Sequence, residues 1–231
     1  MKADIGIIGA MSVEVEALTL ELENRTTESV GGIKFNTGSL FGKKIVIAQC
    51  GVGKVFASIC AEAMIIKYSP SLIVNTGVGG ALVADLRPTD IVIAESLVQH
   101  DMDTSPLGDP KGLISGINKV YFDTDSRAVE LLSSAAERLG LRAGRGRIAS
   151  GDKFVADKAD KVRIAADFSA DVCEMEGAAI AQTAFVNGTP FVVIRAISDS
   201  ADGSANMDYM EFLPVAAKNS AALTLELIKE W

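Results

Sequence analysis

Basic charge is scarce in this sequence. Lysine and arginine total 22 against 30 aspartates and glutamates, which leaves a net charge of −8 at pH 7. A nucleic-acid partner wants a basic face, so this balance argues against one and leaves small ligands open. Histidine is nearly absent: His100 is the sole example, which argues against a zinc cluster. The three cysteines, Cys50, Cys60 and Cys173, are too scattered to frame disulfides. They fit a reducing compartment, and a cytoplasmic location is expected. Long hydrophobic runs are also missing. The longest uncharged stretch, Gly177 to Ile194, is interrupted by Asn187, Gly188 and Pro190. It reads as helix, turn and buried strand, and no membrane span is expected. Met1-Lys2-Ala3-Asp4 leads straight into an apolar run, so no signal peptide is expected. What remains is 231 residues, 48% hydrophobic and 23% charged, with no repeat or linker. One globular domain spanning 1–231 is the simplest organisation.

Ile5 to Ala10 is almost wholly apolar and predicts a strand buried on both faces. Ser12 is placed to cap a helix through Leu22. Ile33–Leu40 and Lys44–Cys50, around Phe41-Gly42-Lys43, predict a hairpin. Gly51-Val52-Gly53-Lys54 opens a helix to about Tyr68. Leu72-Ile73-Val74 predicts a strand that runs into the glycine-rich segment Thr76 to Ala81. Further strands are expected over Asp90–Leu97, at Arg147–Gly151, over Ala170–Cys173 and over Pro190–Ile194. Helices are expected over Ala128–Leu139, Lys158–Ala166 and Gly177–Val186, and from about Tyr209 or Met210 to Glu230. His100 to Phe122 reads as a long polar loop, a kind that is usually functional or at an interface. Strands alternating with helices predict an α/β fold with helices on both faces, and the hairpin makes the sheet mixed.

In such sheets the ligand crevice lies beyond the carboxyl ends of strands. Gly9–Glu14, Thr76–Gly80, Ser150-Gly151-Asp152, Glu174–Gly177 and Ser198-Asp199 all fall at such ends. None carries a dinucleotide or P-loop fingerprint. Each has a plainer reading. Glu14 suits the first turn of a helix whatever its function. Glu174 and Glu176 alternate, so in a strand they share a face with Met175 opposite. That face could meet a ligand, solvent or Arg195. Asp199 could serve a ligand or cap a turn. By composition alone Met11, Met175 and Phe154 belong to a core, and His100 reads as structural.

Taken together, these segments are familiar. Gly9-Ala10-Met11-x-x-Glu14, Asn75-Thr76-Gly77-x-Gly79-Gly80, Ser150-Gly151-Asp152-x-Phe154, Glu174-Met175-Glu176 and Arg195-Ala196-Ile197-Ser198-Asp199-x-Ala201-Asp202 occur in this order. Over nearly its whole length the chain resembles the 5′-methylthioadenosine/S-adenosylhomocysteine nucleosidase family of the purine nucleoside phosphorylase superfamily. The resemblance implies a single-domain three-layer αβα fold around a mixed β-sheet, a homodimer, no metal and no cofactor. It implies hydrolysis of the adenine N-glycosidic bond of 5′-methylthioadenosine and S-adenosylhomocysteine, and also of 5′-deoxyadenosine, in methionine salvage and by-product recycling. Carried over by motif position, Asp199 would protonate adenine N7 with Ser198 steadying it, and Glu14 would activate water. Glu176 would bind both ribose hydroxyls. Phe154 would stack on adenine, the Val155 backbone would read the base edge, and Met175 would pack on ribose. Gly80 would lie near the ribose and the water. Met11, Val52 and Tyr209 would line the alkylthio pocket, with Glu174 and Arg195 completing the binding set. One departure is visible. The loop beginning His100-Asp101-Met102-Asp103 carries Leu107 where better-known members send an aromatic into the partner's pocket.

Overall fold

Apolar runs too short for a core helix become the strands at the centre of the molecule. The computed structural model describes residues 2–201 and 205–231, with the backbone alone described for 205–208. In chain order the elements are β1 (Ile5–Gly9), α1 (Ser12–Leu20), β2 (Glu23–Val30), β3 (Ile33–Leu40), β4 (Lys43–Gln49) and α2 (Lys54–Tyr68). Next come β5 (Leu72–Ala81), β6 (Ile91–Gln99), β7 (Phe122–Asp123), α3 (Ser126–Leu139) and β8 (Ala143–Ser150). The chain ends with α4 (Lys158–Phe168), β9 (Val172–Glu174), α5 (Gly177–Val186), β10 (Phe191–Asp199) and α6 (Ala205–Glu230).

One mixed sheet carries every strand. β1 lies parallel between β4 and β5, and β3 and β2 continue the sheet antiparallel beyond β4. At the other end the strands close on themselves. β5 pairs β10, β10 pairs β6, β6 pairs β8, β8 pairs β9, and β9 returns to β5. Closure leaves no bare edge there. It also gathers the ends of β5, β8, β9 and β10.

Strand residues alternate between two cores, as the period of two requires. Ile8, Val46, Ala48 and Ile73 pack under α2 and α5. Ile5, Ile7, Ile45, Ile47, Leu72 and Val74 pack under α1, α3 and α6. The fold is therefore the expected three-layer αβα arrangement with a central mixed sheet. Burying each large aliphatic side chain contributes roughly 1.5–3 kcal/mol before entropy is counted. Val98, Ala149, Ile164 and Phe168 form a third cluster beneath α4. Among the described residues no helix is long and apolar enough to cross a membrane.

Several boundaries differ from expectation. The strand expected at Leu72–Val74 continues through the glycine-rich segment Thr76–Ala81, which completes β5, paired to β10 on one side and β9 on the other. The glycines belong there because neighbouring side chains occupy the space their Cβ atoms would fill. β2 was not expected, since Glu23–Val30 shows no apolar alternation. It is a solvated edge strand, held laterally by Thr26–Thr37 and Thr27–Asn36 hydrogen bonds of 2.8 Å. Its polar surface discourages edge-to-edge pairing. The two-residue β7 also escaped notice. Ser12 begins α1 but does not cap it; Met11 occupies the cap position. β10 continues through Arg195–Asp199, and α6 starts earlier than expected.

Candidate active site

Glu14 is the first-turn carboxylate of α1, but it is turned inward and buried. Its Oε2 accepts from the amides of Ala10 (2.7 Å) and Met11 (2.8 Å), and its Oε1 accepts from the amide of Val78 (3.2 Å). A Cβ at Gly77 would lie 2.6 Å from Oε1, so only glycine in β5 leaves room for this carboxylate. Burial raises the pKa of Glu14, against the lowering pull of Arg195 and the three amides.

Arg195 lies fully enclosed in β10. Its guanidinium forms an ion pair with the Glu174 carboxylate and donates to Asn75 Oδ1 at 2.6 Å. Glu174 also accepts from Ser150 Oγ and from the amides of Glu176 (3.0 Å) and Gly177 (2.8 Å). Burial opposes its charge, yet Arg195 and these donors hold its pKa below the ordinary value. Of the open readings, Glu174 therefore takes the salt bridge. β9 ends at Glu174, so strand alternation does not orient Glu176. Glu176 sits at the cap position of α5, where its Oε1 accepts from the Gly53 amide at 2.8 Å. Gly53 has φ of 100°, a conformation that favours glycine, and it leads directly into α2. Lys54 clamps this turn: its amide reaches Asp152 Oδ1 at 2.8 Å and its Nζ reaches Asp101 Oδ1 at 2.6 Å. Glu176 is pushed up to about 7, first by burial and then by the Glu174 charge.

Asp199 closes β10. Ser198 Oγ donates to its Oδ1 at 2.8 Å, and Lys161 Nζ donates to its Oδ2 at 2.8 Å. A Cβ at Gly80 would lie 2.8 Å from Oδ2.

These groups meet in one cleft. Glu14, Glu174, Glu176, Ser198 and Asp199 line it together with Met11, Val52, Gly80, Phe154, Met175 and Tyr209. Met11, Met175 and Phe154 thus face a cavity, although composition suggested core. Tyr209 bridges the apolar wall: its ring meets Phe154 edge-on at 5.6 Å, and its hydroxyl lies 3.4 Å from Met11 Sδ. Val155 is buried beside an adjoining recess of about 250 Å³ that also touches Gly80, Met175 and Asp199. Arg195 does not line the cleft; it stands behind Glu174. His100 is buried against Gly151 with its Nε2 unpartnered among the described residues, a packing position. Leu107 projects from a single 3-10 turn, Ser105–Leu107, with 84% of its surface exposed. Asp202, the last residue of the Arg195–Asp202 motif, lies outside the described residues. Among the described residues no group of His, Cys, Asp and Glu is arranged to hold a metal ion.

The sequence matches the phosphorylase superfamily over residues 4–229. It is 41% identical to the 5′-methylthioadenosine/S-adenosylhomocysteine nucleosidase of Haemophilus influenzae (strain PittEE) over 97% of this chain and 98% of that protein. This chain belongs to that nucleosidase family of the phosphorylase superfamily. The nucleosidase structure from Neisseria meningitidis, in complex with methylthio-immucillin-A, superimposes with a TM-score of 0.95 at 37% identity, covering 98% and 99% of the two chains. Futalosine hydrolase of Helicobacter pylori strain 26695 superimposes with a TM-score of 0.94 at 35% identity, covering 98% and 97%.

Membership of the nucleosidase family accounts for the five ordered motifs, yet some residues around the cleft carry no motif signal. Val78 and Cys173 line it without having been given a role there, and Ala10 and Gly79 entered only as motif letters. Asn75 and Ser150 were noticed only as motif letters, and here they hold the Glu174–Arg195 pair. Lys161 was missed outright. Its signal was available: it shares a helical stripe with Ile164 and Phe168, where a charge is out of place.

Proposed function

We propose that this chain hydrolyses the N-glycosidic bond of 5′-methylthioadenosine and S-adenosylhomocysteine, and of 5′-deoxyadenosine, releasing adenine. The observation that carries this reading is the pairing of Glu14 and Asp199 in one cleft, where Glu174, Glu176 and Ser198 share the wall with apolar groups. The bond breaks through an oxocarbenium-like sugar, so a base must deliver water to one end and an acid must protonate the leaving purine at the other. Asp199 is the acid at adenine N7, with Ser198 holding its second oxygen. Glu14 is the base; desolvation strengthens a carboxylate as a base, and its raised pKa suits the task. Glu176 takes both ribose hydroxyls and faces the sugar cation. Phe154 stacks on the purine, the Val155 backbone reads its edge, Met175 packs on ribose beside Gly80, and Met11, Val52 and Tyr209 receive the 5′-thio group. Glu174 presents a wall whose carboxylate is already committed to Arg195.

A phosphorolytic reaction is disfavoured, because no lysine or arginine lines the cleft among the described residues and Glu14 would repel phosphate. The futalosine hydrolase likeness supports a second substrate class for the same chemistry. Adenine release measured with methylthioadenosine, S-adenosylhomocysteine, adenosine, inosine and futalosine, each with and without phosphate, tests both readings. A sugar-1-phosphate product would refute hydrolysis, and preferential turnover of futalosine would reassign the substrate. A homodimer goes with this reading. Val55, Ile59 and Val186 are exposed along one groove between α2 and α5, an apolar face suited to a second copy. Three unpaired cysteines suit a cytoplasmic location.

A further inference from the structure

A lysine stripped of water needs an anion beside it. Lys161, one turn into α4, has no exposed surface, and its partner is Asp199, the acid of the proposed reaction. Its Nζ donates to Asp199 Oδ2 at 2.8 Å and to the Ser200 carbonyl at 2.6 Å. Ser198 holds the other Asp199 oxygen, so both oxygens of the carboxylate are fixed. An apolar residue beside Ile164 and Phe168 would fill the same stripe without this desolvation cost. No side chain of α4 lines the cleft; Lys161 acts on it through Asp199 alone.

We propose that Lys161 is a positioning residue for the acid: it anchors the Asp199 carboxyl on the purine side of the cleft and neutralises the charge left there when the proton departs. The inference rests on the reading of Asp199 given above. In the step concerned, the Asp199 O–H bond breaks and the N7–H bond forms. The C1′–N9 bond breaks with its electron pair going to the purine. Water adds to C1′ and yields its proton to Glu14. Asp199 is then an anion, and the ammonium already faces it, so no reorganisation is needed as the charge develops.

Other charges near Asp199 do not duplicate this role. Cys173 of β9 and Tyr209 of α6 feel its charge and are themselves uncharged at neutral pH, since burial raises the pKa of both. Glu14, Glu174 and Glu176 share the cleft and are of like sign. Arg195 is committed to Glu174, and Lys153, beside the adjoining recess, is committed to Asp160.

The test is kinetics across pH with methylthioadenosine for wild type, Lys161→Met, Lys161→Arg and Asp199→Asn, each checked for folding by circular dichroism. Without the ammonium, the charge that develops on Asp199 has no cation beside it. Lys161→Met should lower kcat roughly 10²-fold with little change in KM. The alkaline limb of its pH profile should move, because the cation facing the acid is gone. Lys161→Arg should restore the limb. Lys161→Gln, neutral and able to donate, gives the same reading should the methionine variant not fold. A fall in kcat with an unmoved limb, or no fall at all, overturns the proposal. An active Asp199→Asn overturns the acid assignment and this role together. An inactive Asp199→Asn beside an unmoved limb in Lys161→Met overturns the lysine's role alone.

Discussion

Four carboxylates around one small cleft would repel one another unless each were treated differently, and each is. Glu174 is neutralised by Arg195, Asp199 is met by Lys161, and Glu14 and Glu176 are left with raised pKa values. In the proposed roles, Asp199→Asn removes the acid and Glu14→Gln the base. Each should slow adenine release by roughly 10²–10⁴-fold in a steady-state assay, since that is what a general acid or base contributes. Gly77→Ala tests the fit of Glu14. The added Cβ would stand 2.6 Å from Oε1, so kcat should fall while the fold survives. Glu176 predicts two pH effects. In its proposed role Glu176 binds ribose as the carboxylate, so kcat/KM should decline below about pH 7. Its folded pKa lies above the unfolded one, so the folded state binds the proton more tightly between the two values. Stability should therefore fall as pH rises from about 4.5 to about 7. Glu176→Gln should flatten that slope in urea titrations and gain on the order of 2 kcal/mol at pH 8.

At the scale of elements, the site depends on β5 and β10 running side by side into the cleft. Asn75, Gly77 and Gly80 of β5 stand against Arg195 and Asp199 of β10 and Glu14 of α1. Arg195 ties this pair to β9 through Glu174. Glu174→Ala would strand a buried guanidinium and should cost roughly 3–5 kcal/mol, read as a lower urea midpoint. Changing Glu174 and Arg195 together to methionine should recover much of that loss. Some of this was legible beforehand. Ile5–Gly9 and Phe191–Ile194 announce buried strands by composition. Thr76–Gly80 gives no strand signal of its own because glycine signals turns. Whether a glycine is a turn or a clearance for another side chain depends on residues distant in sequence.

At the scale of the molecule, closure of β5, β10, β6, β8 and β9 into a circuit brings residues from both ends of the chain to one rim. The apolar groove between α2 and α5 lies beside the clamp formed by Lys54 and Asp152. If the proposed homodimer forms through this groove, Ile59→Asp together with Val55→Asp should yield a monomer by light scattering. Because Val52 both lines the cleft and precedes this groove, the monomer should bind 5′-thio substrates more weakly, measured as a higher KM.

Apolar runs and their periods determined the α/β class and the helices from α2 to α5 within a few residues, and the resemblance carried by five ordered motifs marked the site. These signals are local, so one sequence suffices to read them. Tertiary structure alone decided that polar Glu23–Val30 joins the sheet, that Glu174 turns to Arg195 while Glu176 turns to Gly53, and that Lys161 stands behind Asp199. A charged group's role depends on which opposite charge shares its dry surroundings, and that is set by packing between segments far apart in the chain.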